Sequence, residues 1–214
     1  MVLRTKKKRL TAADYLNLKT LIVGAVNSGK TRMTAAILNA MQAEGWGRRI
    51  AVLDLAPEPV QGIGGRLDPR GSEGVHWLVC PITPPRLSGR DQREMQLLAE
   101  RNALAIEPLL DKVLALRRTI LVVNDASIYL QAGSLRRFKT VAAAYPTVVM
   151  NAYHGDSFVD APFTEVERRR VESLARWCDR VLRLAPRSSP SSENPADAAA
   201  GRRSFSAGRP GADQ

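Results

Sequence analysis

Hydrophobic residues along the chain alternate between short continuous runs and longer stripes at helical spacing, the pattern of buried strands exchanging with amphipathic helices. Lys19 to Val23, ending in Leu21-Ile22-Val23, reads as a first strand. Met33, Ala36, Ile37, Ala40 and Met41 then recur at helical spacing between Arg32 and Glu44, and Gly45 and Gly47 end that helix. Arg49 to Leu55 is a second apolar strand, expected to run parallel to the first because a helix joins them. Val75 to Cys80 is a third, closed by Pro81, Pro84 and Pro85. From Asp91 to Arg117 a long helix carries Met95, Leu98, Ile106, Leu109, Leu110, Val113 and Leu116 on one face, with a break expected near Asn102.

The second half repeats the alternation. Thr119 to Val123 is an apolar strand tipped by Asn124 and Asp125, and a helix is predicted over Ser134 to Ala144. Thr147 to Asn151 is a strand ending in a polar side chain. Thr164, with Glu167 three residues on, has the capping-box spacing that opens a helix to about Trp177. Arg180 to Leu184 is a last short strand, and its two arginines suit an edge. No internal repeat interrupts this order. The expected fold class is α/β, a three-layer α/β/α sandwich around a mainly parallel sheet.

Composition changes the picture at the ends. With 214 residues and 44% hydrophobic content the chain suits one globular domain. The net charge of +11 is concentrated partly in Arg4, Lys6, Lys7, Lys8 and Arg9. Residues 1–17 therefore read as a basic N-terminal arm, 18–186 as the domain, and the Ser/Pro/Gly/Ala-rich 187–214 as a disordered tail. The arm is a candidate contact for nucleic acid or acidic lipid, or simply a solvated end, and few aromatics accompany it to form a base-stacking platform. No apolar run reaches the length of a membrane helix, and the basic start lacks the apolar core of a secretory signal. Two isolated cysteines, Cys80 and Cys178, suggest neither a disulfide framework nor a metal cluster. A cytoplasmic location is the expectation.

Candidate chemistry centres on Gly24-Ala25-Val26-Asn27-Ser28-Gly29-Lys30-Thr31, a full match to the phosphate-binding loop G-x-x-x-x-G-K-[ST] between a strand and a helix. In such a loop the glycines let backbone N–H groups close around a polyphosphate at a helix N-terminus. Gly24, Asn27, Ser28, Gly29, Lys30 and Thr31 are the expected phosphate-contacting residues, with Lys30 neutralising charge and Thr31 holding Mg²⁺. Asp125, at the tip of its strand, is the expected carboxylate on the Mg²⁺ side. The segment Ala56 to Gly74, with Gln61-Gly62-Ile63-Gly64-Gly65, follows the second strand at the end of the sheet where ligands gather; it is either a loop near the nucleotide or an irregular connection. Its glycines do not follow a strand directly and make a poor dinucleotide fingerprint. His76 reads as a strand residue with no catalytic neighbour.

This order of elements, from about Lys19 to Leu184, resembles the P-loop NTPases. Within them it is similar to the division with an additional strand between the P-loop strand and the acid-tipped strand. More loosely it resembles the branch containing DNA translocases and packaging ATPases. The local resemblances are Val52-Leu53-Asp54 followed by Glu58, the strand-ending Asn151, and Trp177-Cys178-Asp179-Arg180-Val181. The resemblance implies ATP and Mg²⁺ as cofactors, Mg²⁺ held by Thr31 and, through water, Asp125, and Asn151 as a polar sensor of the γ-phosphate. It implies catalytic roles for Lys30 and Asp125.

One departure matters: Ala126 and Ser127 follow Asp125, where that division usually has a glutamate that polarises the attacking water. Glu58 and Asp54 are the alternatives, or hydrolysis is slow and the protein is a switch. Three other readings stay open. A partitioning-type ATPase or GTPase would also carry Asp54, but Ala25 and Val26 stand where that group has a second lysine, and no guanine-reading N-K-x-D occurs. A P-loop kinase would use Asp54 as its base. A non-catalytic protein would keep the nucleotide for structure. Arg136, Arg137 and Arg168 to Arg170 are candidate arginine fingers in a homo-oligomer, or solvated helix faces.

Overall fold

The computed structural model describes residues 10–59, 65–158 and 160–185. The Gly62 and Gly64 of the glycine-rich segment, the basic residues Arg4 to Arg9 and the proposed tail lie outside them. The described chain forms strand β1 (Lys19–Gly24), helix α1 (Lys30–Ala43), β2 (Ile50–Asp54), β3 (His76–Val79), the short α2 (Pro85–Ser88) and the long α3 (Gln92–Ala115). It continues with β4 (Ile120–Asn124), α4 (Ala126–Ala132), α5 (Leu135–Ala143), β5 (Thr147–Tyr153), α6 (Thr164–Trp177) and β6 (Arg180–Leu184).

All described strand pairs are parallel, in the order β3-β2-β4-β5-β1-β6. The four inner strands are near-continuous apolar runs because both their faces are covered. Alternate residues feed two cores. Leu21, Val23, Ala51, Leu53, Leu121, Val123, Val148 and Met150 face a layer containing α3 to α6, where Ile106, Leu110, Val113, Phe138, Val171 and Leu174 pack. Ile22, Ile50, Val52, Ile120, Val122 and Val149 face α1, through Ile37, Leu38 and Met41. This is the expected three-layer α/β sandwich. The edge strands are less buried, and β6 is at the edge its arginines suggested. Strand β5 lies between β1 and β4, so the strand carrying Asn151 separates the P-loop strand from the acid-tipped one.

Four sequence expectations change in detail. Helix α3 runs unbroken through Asn102, whose buried amide donates to Thr83 O at 2.8 Å and accepts from Thr83 N at 3.2 Å. A polar residue facing inward mimics a break but here ties down the loop after β3. Helix α4 was not predicted, because Ala126 to Gln131 are all buried and leave no polar stripe to set a period. Thr164 is the first residue of α6 rather than its cap, and no capping box forms there; Glu167 turns inward instead. The stretch assigned to the arm also divides: Ala12 and Tyr15 are buried beside α1, Ala12 N donates to Glu44 Oε1 at 2.9 Å, and Asn17 N donates to Thr147 Oγ1 at 2.8 Å.

Candidate functional site

Strand β1 delivers the chain to Gly24 at the end of the sheet, where Gly24 O accepts from His154 N at 3.0 Å. A Cβ at Gly24 would lie 2.6 Å from Ser28 Oγ and 2.8 Å from the Leu184 carbonyl oxygen, so the position admits only glycine. The loop then turns through two left-handed residues, Asn27 (φ 56°) and Gly29 (φ 95°). Gly29 caps α1, whose free first-turn N–H groups make its start favourable to anions. Ser28 Oγ is buried without a hydrogen-bond partner. Lys30 Nζ donates to Ala25 O at 2.7 Å and stands 5.8 Å from the Tyr153 ring centre. Burial lowers the Lys30 pKa, opposed by the charge of Asp125. Thr31, one residue on, is partly accessible in the first turn of α1.

Asp125 follows β4 in the left-handed region (φ 57°, ψ 58°), a conformation Asp tolerates better than most residues. Its carboxylate accepts a hydrogen bond from Ser127 Oγ, which in turn accepts from Tyr153 N at 3.1 Å. Its own N–H donates to Asn151 Oδ1 at 3.0 Å. Burial pushes the Asp125 pKa up, while Ser127, Lys30 and Arg86 pull it down. Ser127, two residues on, therefore orients Asp125.

Behind these residues runs a buried hydrogen-bonded network. Asn151 Nδ2 donates to Thr34 Oγ1 at 2.9 Å and to Asn124 Oδ1 at 2.8 Å, and Thr34 Oγ1 donates to Lys30 O at 3.0 Å. Asn124 Nδ2 donates to Asp54 Oδ1 at 2.8 Å and Gly65 O at 3.1 Å. Asp54 also accepts from Ala56 N at 3.2 Å and Leu67 N at 2.7 Å. Burial raises its pKa, and the hydrogen bond from Asn124 is the largest opposing effect.

A charged cluster also borders Tyr153. Arg86, on α2, donates to Glu167 Oε2 at 2.7 Å and Thr164 Oγ1 at 3.1 Å, both on α6. Its guanidinium carbon lies 4.7 Å from the Phe163 ring centre, 5.3 Å from Phe158 and 5.9 Å from Tyr153. The two side chains are nearly sealed, at 8% and 3% exposure. Burial pushes the Glu167 carboxyl up to about 7 despite Arg86, and Asp125 adds to the rise.

The structure thus gathers the predicted loop residues Gly24, Asn27, Ser28, Gly29, Lys30 and Thr31 into one turn and brings the charge of Asp125 to bear on Lys30. Asn151 is 1% exposed with both amide atoms bonded within the protein. Glu58 is exposed and pairs with Arg66 at 3.0 Å. Arg137 pairs with Asp111, Arg168 with Asp156 and Arg169 with Glu165, while Arg170 Nη1 donates to Leu130 O at 2.8 Å; Arg136 is exposed. Among the described residues no group of three or more His, Cys, Asp or Glu could hold a metal ion, and no helix is long and apolar enough to cross a membrane. Arg86, Glu167, Ser127 and Tyr153 were missed from sequence. The available signal was only that Arg86 follows Pro84-Pro85 beyond a strand C-terminus, where ligands collect.

No family model matches the chain, and no curated protein matches it. Among solved structures it is similar to the Pif1 helicase from Candida albicans, with 11% identity and a TM-score of 0.36 over 79% of this chain and 36% of that chain. The chain thus spans about a third of that helicase, and a likeness this distant identifies neither family nor activity.

Proposed function

We propose that the protein is an ATP-binding P-loop NTPase that hydrolyses ATP with Mg²⁺ to drive a conformational switch or a nucleic-acid-related process. The observation that carries this reading is the pairing of an anion-accepting loop and a partly buried lysine at the start of α1 with an aspartate at the end of β4, one strand removed from β1 in the sheet. The glycine-only position, the unpartnered Ser28 hydroxyl and the half-desolvated Lys30 charge all suit a polyphosphate. The strand order β4-β5-β1 fits the additional-strand division that the sequence resembles.

In this reading amides from Asn27 to Thr31 cradle the phosphates and Lys30 leaves Ala25 O to neutralise them. Thr31 and, through water, Asp125 would hold Mg²⁺, which would supply charge screening on the phosphate oxygens. Ser127 and Asn151 fix the Asp125 carboxylate and backbone, which gives Asn151 a positioning part behind any phosphate-sensing one. Glu58 remains the proposed water-polarising acid and would have to leave Arg66 to act; Glu58→Gln with a normal hydrolysis rate removes it from the mechanism. Switches, kinases and purely structural nucleotide sites share the loop, so turnover with ATP and GTP, with and without DNA or a hydroxyl acceptor, separates them.

The direct test is calorimetry with Mg-ATP. Lys30→Ala is expected to weaken binding by at least ~100-fold, the scale of losing a charge-assisted phosphate contact. Unchanged affinity would refute the nucleotide site. Asp125→Asn is expected to keep binding and lose Mg²⁺-dependent phosphate release.

A further inference from the structure

Arg86 is not explained by the P-loop reading. It sits on a four-residue helix between Pro84 and Gly89, yet its side chain crosses to α6 and enters a buried aromatic cage. A buried ion pair is a weak device for stability, because desolvation of both ions offsets their attraction. This one is also unfinished. Only one guanidinium nitrogen, Nη2, reaches Glu167, through Oε2, while Arg86 Nε and Glu167 Oε1 are buried with no partner at hydrogen-bond distance, Gln131 bearing on the Glu167 carboxyl only more weakly. A pair built only to tie α2 to α6 would be expected to engage both carboxylate oxygens in a fork.

Its placement points to the loop. Tyr153 is in register with Gly24 across β1 and β5, and its ring carries Lys30 at 5.8 Å and Arg86 at 5.9 Å. Asp125 is felt electrostatically by both cations. Lys30 and Arg86 are thus two cations that share one ring and act on one aspartate, the first on the P-loop and the second on α2. The loop amides and Lys30 serve phosphates that a di- and a triphosphate share in part, so telling the two apart calls for a donor further out. Arginine suits that task through its planar fork of donors.

We propose that Arg86 is the residue by which this site distinguishes a nucleoside triphosphate from a diphosphate, its guanidinium exchanging Glu167 for the terminal phosphate. The inference rests on the P-loop reading and adds to it an internal, same-chain arginine and its resting partner. Releasing Arg86 also loosens α2 from α6, so the terminal phosphate is read out as a change between those helices.

The test is calorimetry of the full chain with Mg-ADP and with Mg-ATPγS, a slowly hydrolysed analogue. The double variant Arg86→Met, Glu167→Leu replaces the buried pair by apolar groups of similar size and is expected to fold, as its melting curve will show. It should lose at least ~10-fold in ATPγS affinity, one good charge-assisted contact, with Mg-ADP affinity within about 3-fold of wild type. Arg86→Lys, which keeps the charge but not the fork, should lose the same preference and serves if the double variant does not fold. Glu167→Gln should tighten ATPγS binding, because the competing carboxylate charge is gone. An unchanged ATPγS-to-ADP ratio in the arginine variants, or an equal loss of both ligands, overturns the proposal while leaving the P-loop reading intact. Wild-type protein that binds neither nucleotide overturns both.

Discussion

Two polar clusters occupy the same end of the sheet and are finished in opposite ways. In the network of Asp54, Asn124, Asn151 and Thr34 every side-chain polar atom has a partner within the protein. In the cluster around Arg86, the atoms Arg86 Nε, Glu167 Oε1 and Gln131 Oε1 are buried without one, as is Ser28 Oγ in the loop. The first is uncharged apart from Asp54 and links four elements of the scaffold. The second is charged and spans three helices, α2, α4 and α6. A completed buried network holds one arrangement, because any motion orphans a group at about 1–3 kcal/mol each. An incomplete one has less to lose by changing partners. The difference separates the part of the site that positions from the part that can respond.

That contrast can be broken at several points. The largest effect is expected from Asn151→Ala, which removes the node joining Asn124, Thr34 and the Asp125 amide; about 3 kcal/mol of stability should be lost in urea unfolding. A loss under about 1 kcal/mol would mean the network is not the scaffold argued for. Gly24→Ala should cost about 1–3 kcal/mol by crowding Ser28 and the Leu184 carbonyl, and should also weaken Mg-ATP binding. Normal affinity in that variant would show that the loop can re-form around a methyl group.

The charged cluster predicts a pH effect. Glu167 has a folded pKa of about 7 against an ordinary 4.5. Between those values the unfolded carboxyl is ionised while the folded one keeps its proton, so stability must fall as pH rises. The contribution is complete below the unfolded value and is lost as pH passes through the folded value, a few kcal/mol in all. Urea midpoints should therefore decline between about pH 5 and pH 8, and Glu167→Gln should flatten the decline. An unaltered slope in the variant would assign the decline to other groups. The smallest effect is expected from Glu58→Gln on stability, below about 0.5 kcal/mol, since its ion pair with Arg66 is exposed.

How far each region was legible from sequence follows from the same physics. Inner strands such as Ile120–Asn124 are covered on both faces and stand out as apolar runs. The P-loop is local: one turn supplies nearly all its groups, so contiguous residues spell it. Asp125 was legible because it ends such a run. Arg86 and Glu167 come from segments 81 positions apart, and nothing in either marks the other. Glu167 even carried a competing local signal, its spacing from Thr164, which the buried arginine overrides. Helix α4 was hidden by complete burial, and Asn102 suggested a break because its partner, the Thr83 backbone, lies in another segment.

The position of β1 between β5 and β6 has a consequence for biosynthesis. The P-loop strand is made early, but its two neighbours in the sheet are the last strands to be made, and Leu184 itself packs against Gly24. During translation the loop has no lateral support until nearly the whole domain has left the ribosome. A nascent chain stalled before residue 180 should therefore hold no nucleotide, and ligand should accelerate only the final closure of the sheet, a late step set by long-range contacts.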